Sequence, residues 1–87
     1  MTNIIWTPTS WKDYMEWQQE DKKTVKRIHA LILDIQRNGP FKGIGKTEPL
    51  RYRPEWSRRI DDSHRLVYRM SDAGLVILSC KGHYEDK

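Results

Sequence analysis

The segment that follows Asp21 carries the pattern that most constrains the fold of this chain. Five apolar residues repeat there at intervals of three and four, which is the spacing of one face of an α-helix. Asn38, Gly39 and Pro40 end the segment, because proline cannot continue a helix and glycine favours the left-handed cap. The sequence therefore predicts a long amphipathic helix, capped at its start by Asp21. Its apolar stripe is formed by Val25, Ile28, Leu31, Ile32 and Ile35, and its outer face by Lys22, Lys23, Lys26, Arg27 and Asp34.

Shorter elements are predicted on both sides of this helix. Residues 3–6 are apolar and β-branched and favour an edge strand that ends before Pro8. Ser10 and Asp13 form a variant capping box for a first helix over residues 10–20. The predicted order is a strand, two helices and then a meander of three or four strands. The strand-like runs of the meander cover residues 56–60, 64–70 and 75–81.

Alternation along residues 64–70 assigns the two faces of the predicted sheet. Leu66 and Tyr68 fall on one face, whereas Arg65, Val67 and Arg69 fall on the other. We expect the helices to cover the first face and to leave the second partly open and basic. The pattern as a whole indicates an α+β fold.

Size and composition limit the class of protein. A chain of 87 residues forms one small domain, here residues 1–87. Its lone cysteine, Cys80, cannot form an intramolecular disulfide, and no apolar run is long enough to cross a bilayer. The sequence predicts a cytoplasmic protein with no membrane association.

Positive charge is concentrated in the second half of the chain. Residues 42–69 hold eight Lys and Arg against four Asp and Glu, out of a net charge of +4 for the whole chain. A basic patch favours a polyanionic partner, since neutralising phosphates releases counterions. An ordinary solvated surface would have the same composition, so the choice between these interpretations depends on the motifs.

Glu48, His83 and Tyr84 are the side chains best suited to chemistry. A carboxylate in a basic segment can accept a proton from a hydroxyl, although most lone glutamates are surface charges. A histidine exchanges protons near neutral pH and can protonate a leaving oxygen. A tyrosine can stack on an unstacked base, or it can anchor the chain end by packing.

Basic side chains near these residues suit a phosphate ligand. Arg59 and Arg65 could brace a phosphate whose charge grows in a transition state. Arg51, Arg58 and Lys46 are interpreted as charges that steer the substrate. The other histidines, at positions 29 and 64, lie in predicted regular structure and lack the spacing of metal ligands. No metal or other cofactor is therefore expected.

The combination of these motifs resembles the Txe/YoeB family of toxin–antitoxin ribonucleases, within the RelE-like superfamily. The resemblance covers nearly the whole chain, and it is specific because several short motifs occur together. They are Trp6, Ser10-Trp11, Tyr14, Trp17, the loop from Pro40 to Leu50 that contains Gly43, Gly45, Lys46 and Glu48, Trp56-Ser57-Arg58-Arg59-Ile60, His64-Arg65-Leu66-Val67-Tyr68 and His83-Tyr84.

This resemblance implies a fold and an activity. The fold would be the microbial RNase (RelE-like) fold, a compact antiparallel sheet of four to five strands with two N-terminal helices on one face. The activity would be metal-independent cleavage of mRNA in the ribosomal A site, which inhibits translation. Position by position, Glu48 matches the general base of the family, Arg65 its phosphate-stabilising arginine, His83 its general acid and Tyr84 its terminal tyrosine. Arg59 matches a further basic residue of the site, and Arg51 replaces a common lysine.

Partners follow from the same resemblance. The family implies a cognate YefM-like antitoxin that binds through an acidic C-terminal segment, together with the ribosome and mRNA, and it leaves a homodimer open. A chain end at Gly82, His83 and Tyr84 is expected to be displaced by such a segment at low cost. The alternative function is a non-catalytic RNA- or protein-binding module that acts in an antitoxin–repressor complex.

Overall fold

Two helices and five strands follow one another in the computed structural model of the chain, which describes residues 2–82. This succession confirms the predicted order of a strand, two helices and a group of strands. None of the helices in the described part of the chain is long and apolar enough to span a membrane. In chain order the elements are β1 (Ile4–Trp6), α1 (Pro8–Glu20), α2 (Lys22–Asn38), β2 (Glu48–Pro49), β3 (Trp56–Arg59), β4 (Arg65–Ser71) and β5 (Gly74–Ser79).

Helix α1 begins at Pro8, earlier than the sequence pattern indicated. Its N-cap is Thr7, whose side chain accepts a hydrogen bond from the Ser10 N–H, while the Ser10 hydroxyl accepts one from the Thr7 N–H. The predicted cap at Ser10 and Asp13 is therefore wrong. Proline at the first helical position has no N–H to satisfy, so the helix can start directly after Thr7. The hydroxyl of Ser10 also lies 2.6 Å from the Ile77 carbonyl, which ties the helix start to β5.

The five strands form one sheet in the order β1-β5-β4-β3-β2. Strands β2 to β5 pair antiparallel with their neighbours, whereas the edge strand β1 runs parallel to β5, with Ile4 opposite Leu75. A parallel pair requires a long crossover connection, which α1 and α2 help to provide here. The predicted α+β fold of two helices and a compact sheet is confirmed, with the correction that the sheet is mixed rather than wholly antiparallel.

Helix α2 packs its apolar stripe against one face of the sheet. The five residues of the stripe are buried, as are Leu66 and Tyr68 of β4, which confirms the face that alternation assigned to the helices. Helix α1 adds Trp17 to the same core. Each buried aliphatic side chain contributes about 1.5–3 kcal/mol relative to its exposed state. The stripe of α2 is thus a principal source of the stability of this small domain.

The opposite face of the sheet is more open. Arg65 and Arg69 are half-buried there, which agrees with the partly open face that alternation predicted, whereas Val67 between them is buried. Arg59 of β3 is exposed. Glu48 pairs with Ser57 across β2 and β3, and directly opposed residues of an antiparallel pair project to the same face. The open face therefore brings together residues from β2, β3 and β4.

Candidate active site

Glu48 lies on the short edge strand β2, on the open face of the sheet. Its side chain is 49% exposed, so a substrate hydroxyl could reach the carboxylate. Two cations flank it: Lys46 Nζ lies 3.9 Å from Oε1 and Arg65 Nη2 lies 4.0 Å from Oε2. The carboxylate is accessible and is held in a positive environment.

Arg65 is the most firmly oriented side chain of this group. Its Nε donates to the Ser57 hydroxyl at 2.9 Å, and its Nη2 donates to the Lys46 carbonyl at 3.0 Å and contacts the Ser57 carbonyl at 3.4 Å. These contacts fix the plane of the guanidinium, and its side chain is only 12% exposed. Because the donors of a guanidinium form a rigid fork, fixing the plane also fixes the direction in which a phosphate can bind.

The backbone of Arg65 also touches the end of the described chain. The Arg65 N–H donates to the Gly82 carbonyl at 3.3 Å, and the Gly82 N–H donates to Nδ1 of His64 at 2.7 Å. Gly82, the last described residue, therefore lies beside Arg65. The predicted general acid His83 and the predicted stacking residue Tyr84 lie outside the described residues.

Helix α1 holds the residues just before Gly82. Trp17 Nε1 donates to the Cys80 carbonyl at 2.8 Å, and the Cys80 N–H donates to Asp13 Oδ2 at 3.1 Å. The ammonium of Lys81 donates to Glu20 and to Glu16, and these hydrogen bonds raise the pKa of Lys81. Hydrogen bonds from α1, His64 and Arg65 hold Cys80 to Gly82. Displacement of Gly82 by an antitoxin segment would therefore have to break two of these bonds, so the expected low cost does not extend to Gly82.

Arg58 lies on the other side of the sheet, in the interior. Sequence analysis placed it among the steering charges, but its side chain is fully buried and forms an ion pair with Asp34 of α2. Alternation explains the difference, because Arg58 pairs with the buried Leu66 across β3 and β4. The interpretation of Arg58 as a surface charge is wrong, and so is the assignment of Asp34 to a plain solvent-exposed face.

The buried guanidinium of Arg58 organises the loop between α2 and β2. It donates to the carbonyls of Gly39, Lys42 and Ile44 at 3.0, 2.9 and 3.2 Å, and its Nε donates to the Tyr68 hydroxyl at 3.1 Å. This loop leads to Lys46 and Glu48, so Arg58 supports the site from beneath. The loop also needs a glycine at position 43, because a Cβ there would lie 1.9 Å from the Asp34 carboxylate.

Opposing effects act on the carboxylate of Asp34. Burial raises its pKa, but hydrogen bonds from Arg58, Asn38 and the Ile44 N–H outweigh burial, and the pKa is held below its ordinary value. Asp34 is therefore ionised in the folded protein at neutral pH. The pair that it forms with Arg58 is a charged pair in the interior.

The remaining predicted phosphate ligands are exposed. Arg59 stands directly opposite Arg65 in the register of β3 and β4, and like charges in this position repel each other. An anion bound between them would relieve that repulsion. Lys46 projects its ammonium toward Glu48, and Arg51 lies in the exposed turn that follows β2.

Two residues that sequence reasoning did not single out for the site support it by hydrogen bonds. Ser57 orients Arg65. The sequence pattern that could have indicated this is its position two residues before Arg59, because alternate residues of a strand share a face. His64 accepts from Gly82 and was interpreted only as a structural residue at the head of a strand. A contact between residues so distant in sequence has no local signature.

Comparison with known proteins yields a family and close structural neighbours. Residues 6–84 match the family model described as the YoeB-like toxin of bacterial type II toxin–antitoxin systems. The "Toxin YoeB" of Escherichia coli strain K12 is 49% identical over 83 residues, which cover 93% of this chain and 98% of that protein.

Solved structures agree with this family. The YoeB dimer from Staphylococcus aureus is 47% identical, with a TM-score of 0.90 over 95% of this chain and 98% of that one. The heterotetrameric YoeB–YefM toxin–antitoxin complex from the same organism contains a chain that is 46% identical, with a TM-score of 0.88 over 97% of this chain and 99% of that one. The chain therefore belongs to the YoeB-like toxins of bacterial type II toxin–antitoxin systems.

Proposed function

We propose that this chain is a ribosome-dependent endoribonuclease toxin, which cleaves mRNA in the ribosomal A site and so inhibits translation in the cytoplasm. Membership of the toxin family supports this proposal. The observation that carries it is the position of Arg65, whose guanidinium lies 4.0 Å from the Glu48 carboxylate while its backbone N–H binds Gly82, the residue before His83. Arg65, the candidate phosphate-binding residue, therefore lies next to the candidate base and next to the glycine that precedes the candidate acid in the chain.

The proposed reaction is a transfer of the phosphoryl group within the RNA strand. Glu48 removes the proton from a ribose 2′-hydroxyl, and the 2′-oxygen forms a bond to the adjacent phosphorus. The bond from phosphorus to the 5′-oxygen of the next nucleotide breaks, and His83 gives a proton to that oxygen. The products are a 2′,3′-cyclic phosphate and a 5′-hydroxyl, so atoms and charges balance without a metal ion.

Arg65 stabilises the charge that builds up on the non-bridging phosphate oxygens. Its guanidinium is already oriented by Ser57 and by the Lys46 carbonyl, so little reorganisation is needed in the transition state. Removal of one such preorganised donor typically slows a reaction by about 10²–10³-fold. Arg59, Arg51 and Lys46 are exposed and would contact flanking phosphates, and Tyr84 would stack on the base.

The ribosome would supply the orientation of the substrate. The described site is an open sheet face with a half-exposed carboxylate, so the domain alone does little to fix the RNA backbone for in-line attack. Correct orientation of the reacting groups can be equivalent to an effective concentration of about 10⁵–10⁸ M. A partner that holds the message in the correct orientation would therefore account for much of the rate of cleavage.

Control of this activity would come from a YefM-like antitoxin. The YoeB of S. aureus occurs in a complex with YefM and also as a dimer, and we infer the same partners for this chain. An acidic C-terminal segment of the antitoxin would bind the basic face around Arg59 and Arg65, where carboxylates and phosphates compete for the same donors.

One experiment tests the proposed function. Message translated on reconstituted ribosomes, and the same message free of ribosomes, would be treated with the purified chain and mapped by primer extension. We expect cleavage on ribosomes only, with 2′,3′-cyclic phosphate ends, and we expect Glu48→Gln to bind ribosomes normally but to cleave about 10²-fold more slowly or worse. Asp62→Asn, a matched change of an exposed acid, should cleave like the wild type. Equal cleavage of naked RNA would contradict ribosome dependence, and a wild-type chain that binds ribosomes without cleaving the message would favour the non-catalytic alternative.

A further inference from the structure

His64 has a contact that the proposed reaction does not use. It lies just before β4, and its Nδ1 accepts a hydrogen bond of 2.7 Å from the Gly82 N–H. The next residue, Arg65, donates its N–H to the carbonyl of the same glycine at 3.3 Å. Both polar backbone groups of Gly82 are thereby bound by two consecutive residues, His64 just before β4 and Arg65 at its start.

We propose that His64 is a positioning residue, which holds Gly82 through Nδ1 and so fixes the backbone beside Arg65 from which the final segment begins. This inference rests on the proposed function, because it assigns a consequence to His64 only if residue 83 takes part in cleavage. His64 itself does not touch the reacting atoms in this account.

His64 is itself held through both its ring and its backbone. Trp17 of α1 contacts it edge to face, with ring centroids 4.8 Å apart and planes at 88°. The backbone N–H of His64 donates to Asp61 Oδ1 at 2.8 Å, which fixes the turn before β4. A hydrogen-bond acceptor that is immobilised in this way can fix the group bound to it, since few torsions are left to absorb a displacement.

Trp17 connects this contact with the preceding residues. Its indole N–H binds the Cys80 carbonyl at 2.8 Å, while its ring packs on His64. The buried side chain of Trp17 therefore binds Cys80 directly and also contacts His64, the residue that binds Gly82. Together these contacts fix Cys80 and Gly82 and place Gly82 next to Arg65.

The chemistry of the contact suggests informative substitutions. Only a ring with a lone pair on Nδ1 can accept the Gly82 N–H, so the bound tautomer carries its proton on Nε2. Asparagine places its side-chain oxygen close to the position of Nδ1, whereas leucine fills a similar volume without an acceptor. His64→Asn should therefore retain the contact, and His64→Leu should remove it.

Gly82 offers an independent perturbation of the same contact. Its φ is +97°, which is strained for any residue with a Cβ, yet no atom of residues 2–81 lies within 4 Å of the position that a Cβ would take. Gly82→Ala should therefore shift the local backbone without a clash in the core. It serves as a second variant if His64→Leu does not fold.

The test measures single-turnover cleavage of mRNA on programmed ribosomes as a function of toxin concentration. We expect His64→Leu and Gly82→Ala to lower the maximal rate by roughly 10- to 100-fold, since misplacing a catalytic group by about 1 Å can slow a reaction 10²-fold. The half-saturating concentration should change less than about twofold, since the surface that binds the ribosome is intact, and His64→Asn should restore the rate. His29→Asn is the matched control, because His29 binds the Tyr14 hydroxyl at 2.6 Å on another part of the surface.

Hydrogen exchange of the Gly82 amide gives a readout that does not depend on activity. Protection should be present in the wild type and in His64→Asn and lost in His64→Leu. Wild-type rates in both His64→Leu and Gly82→Ala would overturn the inference, as would equal slowing by His64→Asn and His64→Leu. Glu48→Gln and His83→Gln belong in the same series: if they are slow while His64→Leu is not, only the positioning role fails. If they cleave normally, the proposed acid–base chemistry fails, and the positioning role fails with it.

Discussion

Replacement of Arg58 by methionine should be one of the most damaging single changes in this protein. The substitution keeps most of the buried volume but removes the guanidinium that pairs with Asp34 and binds three loop carbonyls. The carboxylate of Asp34 would then remain in an environment that is only 14% exposed, without its cation. The structure therefore predicts a loss of stability rather than the loss of a surface charge.

The magnitude follows from the position of the pair. Removing one partner of a buried ion pair costs about 3–5 kcal/mol. The slight exposure of Asp34 places the expected loss near the lower end, at about 3 kcal/mol. The three loop carbonyls are not added to this figure, because they belong to an exposed loop that can relax toward water. For a domain of this size, 1 kcal/mol corresponds to about 4–8 °C in Tm, so the melting temperature should fall by at least about 12 °C.

Thermal and urea denaturation of four proteins would test this reasoning: the wild type, Arg58→Met, Asp34→Asn and the double variant. The double variant should be less destabilised than the sum of the single variants, because neutralising Asp34 removes the unpaired charge that Arg58→Met creates. Arg51→Met, at an exposed position, should change stability by no more than about 0.5 kcal/mol. A loss below about 1 kcal/mol for Arg58→Met, or strict additivity in the cycle, would refute the interior role of the pair.

Three further predictions concern Asp34, Cys80 and Gly43. The depressed pKa of Asp34 stabilises the fold at pH values above its ordinary pKa of 3.8, and this contribution should be lost as the pH falls through the lower folded value. Melts between pH 7 and pH 2 should show a steeper loss for the wild type than for Asp34→Asn. Burial raises the pKa of the Cys80 thiol to about 12, so iodoacetamide at pH 8 should label it only as fast as the protein unfolds; rapid labelling under native conditions would contradict its burial. Gly43→Ala should destabilise by more than about 1 kcal/mol in urea unfolding, since its φ of +138° and its contact with Asp34 both exclude a Cβ, and a neutral effect would contradict the loop geometry.

Periodic apolar patterns carried most of the information about the fold. The stripe of α2 and the core-facing residues of β4 report burial directly, because a face that packs on a core is mostly apolar, and both were confirmed. The parallel pairing of β1 was not predictable, since it depends on which edge of the sheet the first strand reaches after the helices are placed. The start of α1 was missed because Pro8 was interpreted only as the end of a strand.

The site was less accessible to sequence reasoning than the fold. Glu48 and Arg65 were singled out, but no local pattern indicated that Arg65 would be bound by both Ser57 and Gly82. Arg58 illustrates the limit: a charged residue is usually on the surface, and its burial depends on a partner from another element. That partner, Asp34, lies on a helix whose period alone predicts an exposed position.

The most direct test of the proposed chemistry is the single-turnover rate of mRNA cleavage on programmed ribosomes by Glu48→Gln, measured at saturating toxin beside Asp62→Asn. Glutamine keeps the shape of the side chain but cannot take the proton from the 2′-hydroxyl. The account predicts that Glu48→Gln is slower than the wild type by about 10²-fold or more, with an unchanged melting temperature, and that Asp62→Asn is not slowed. A Glu48→Gln protein that cleaves at the wild-type rate would contradict the assignment of Glu48 as the base, and with it the central claim.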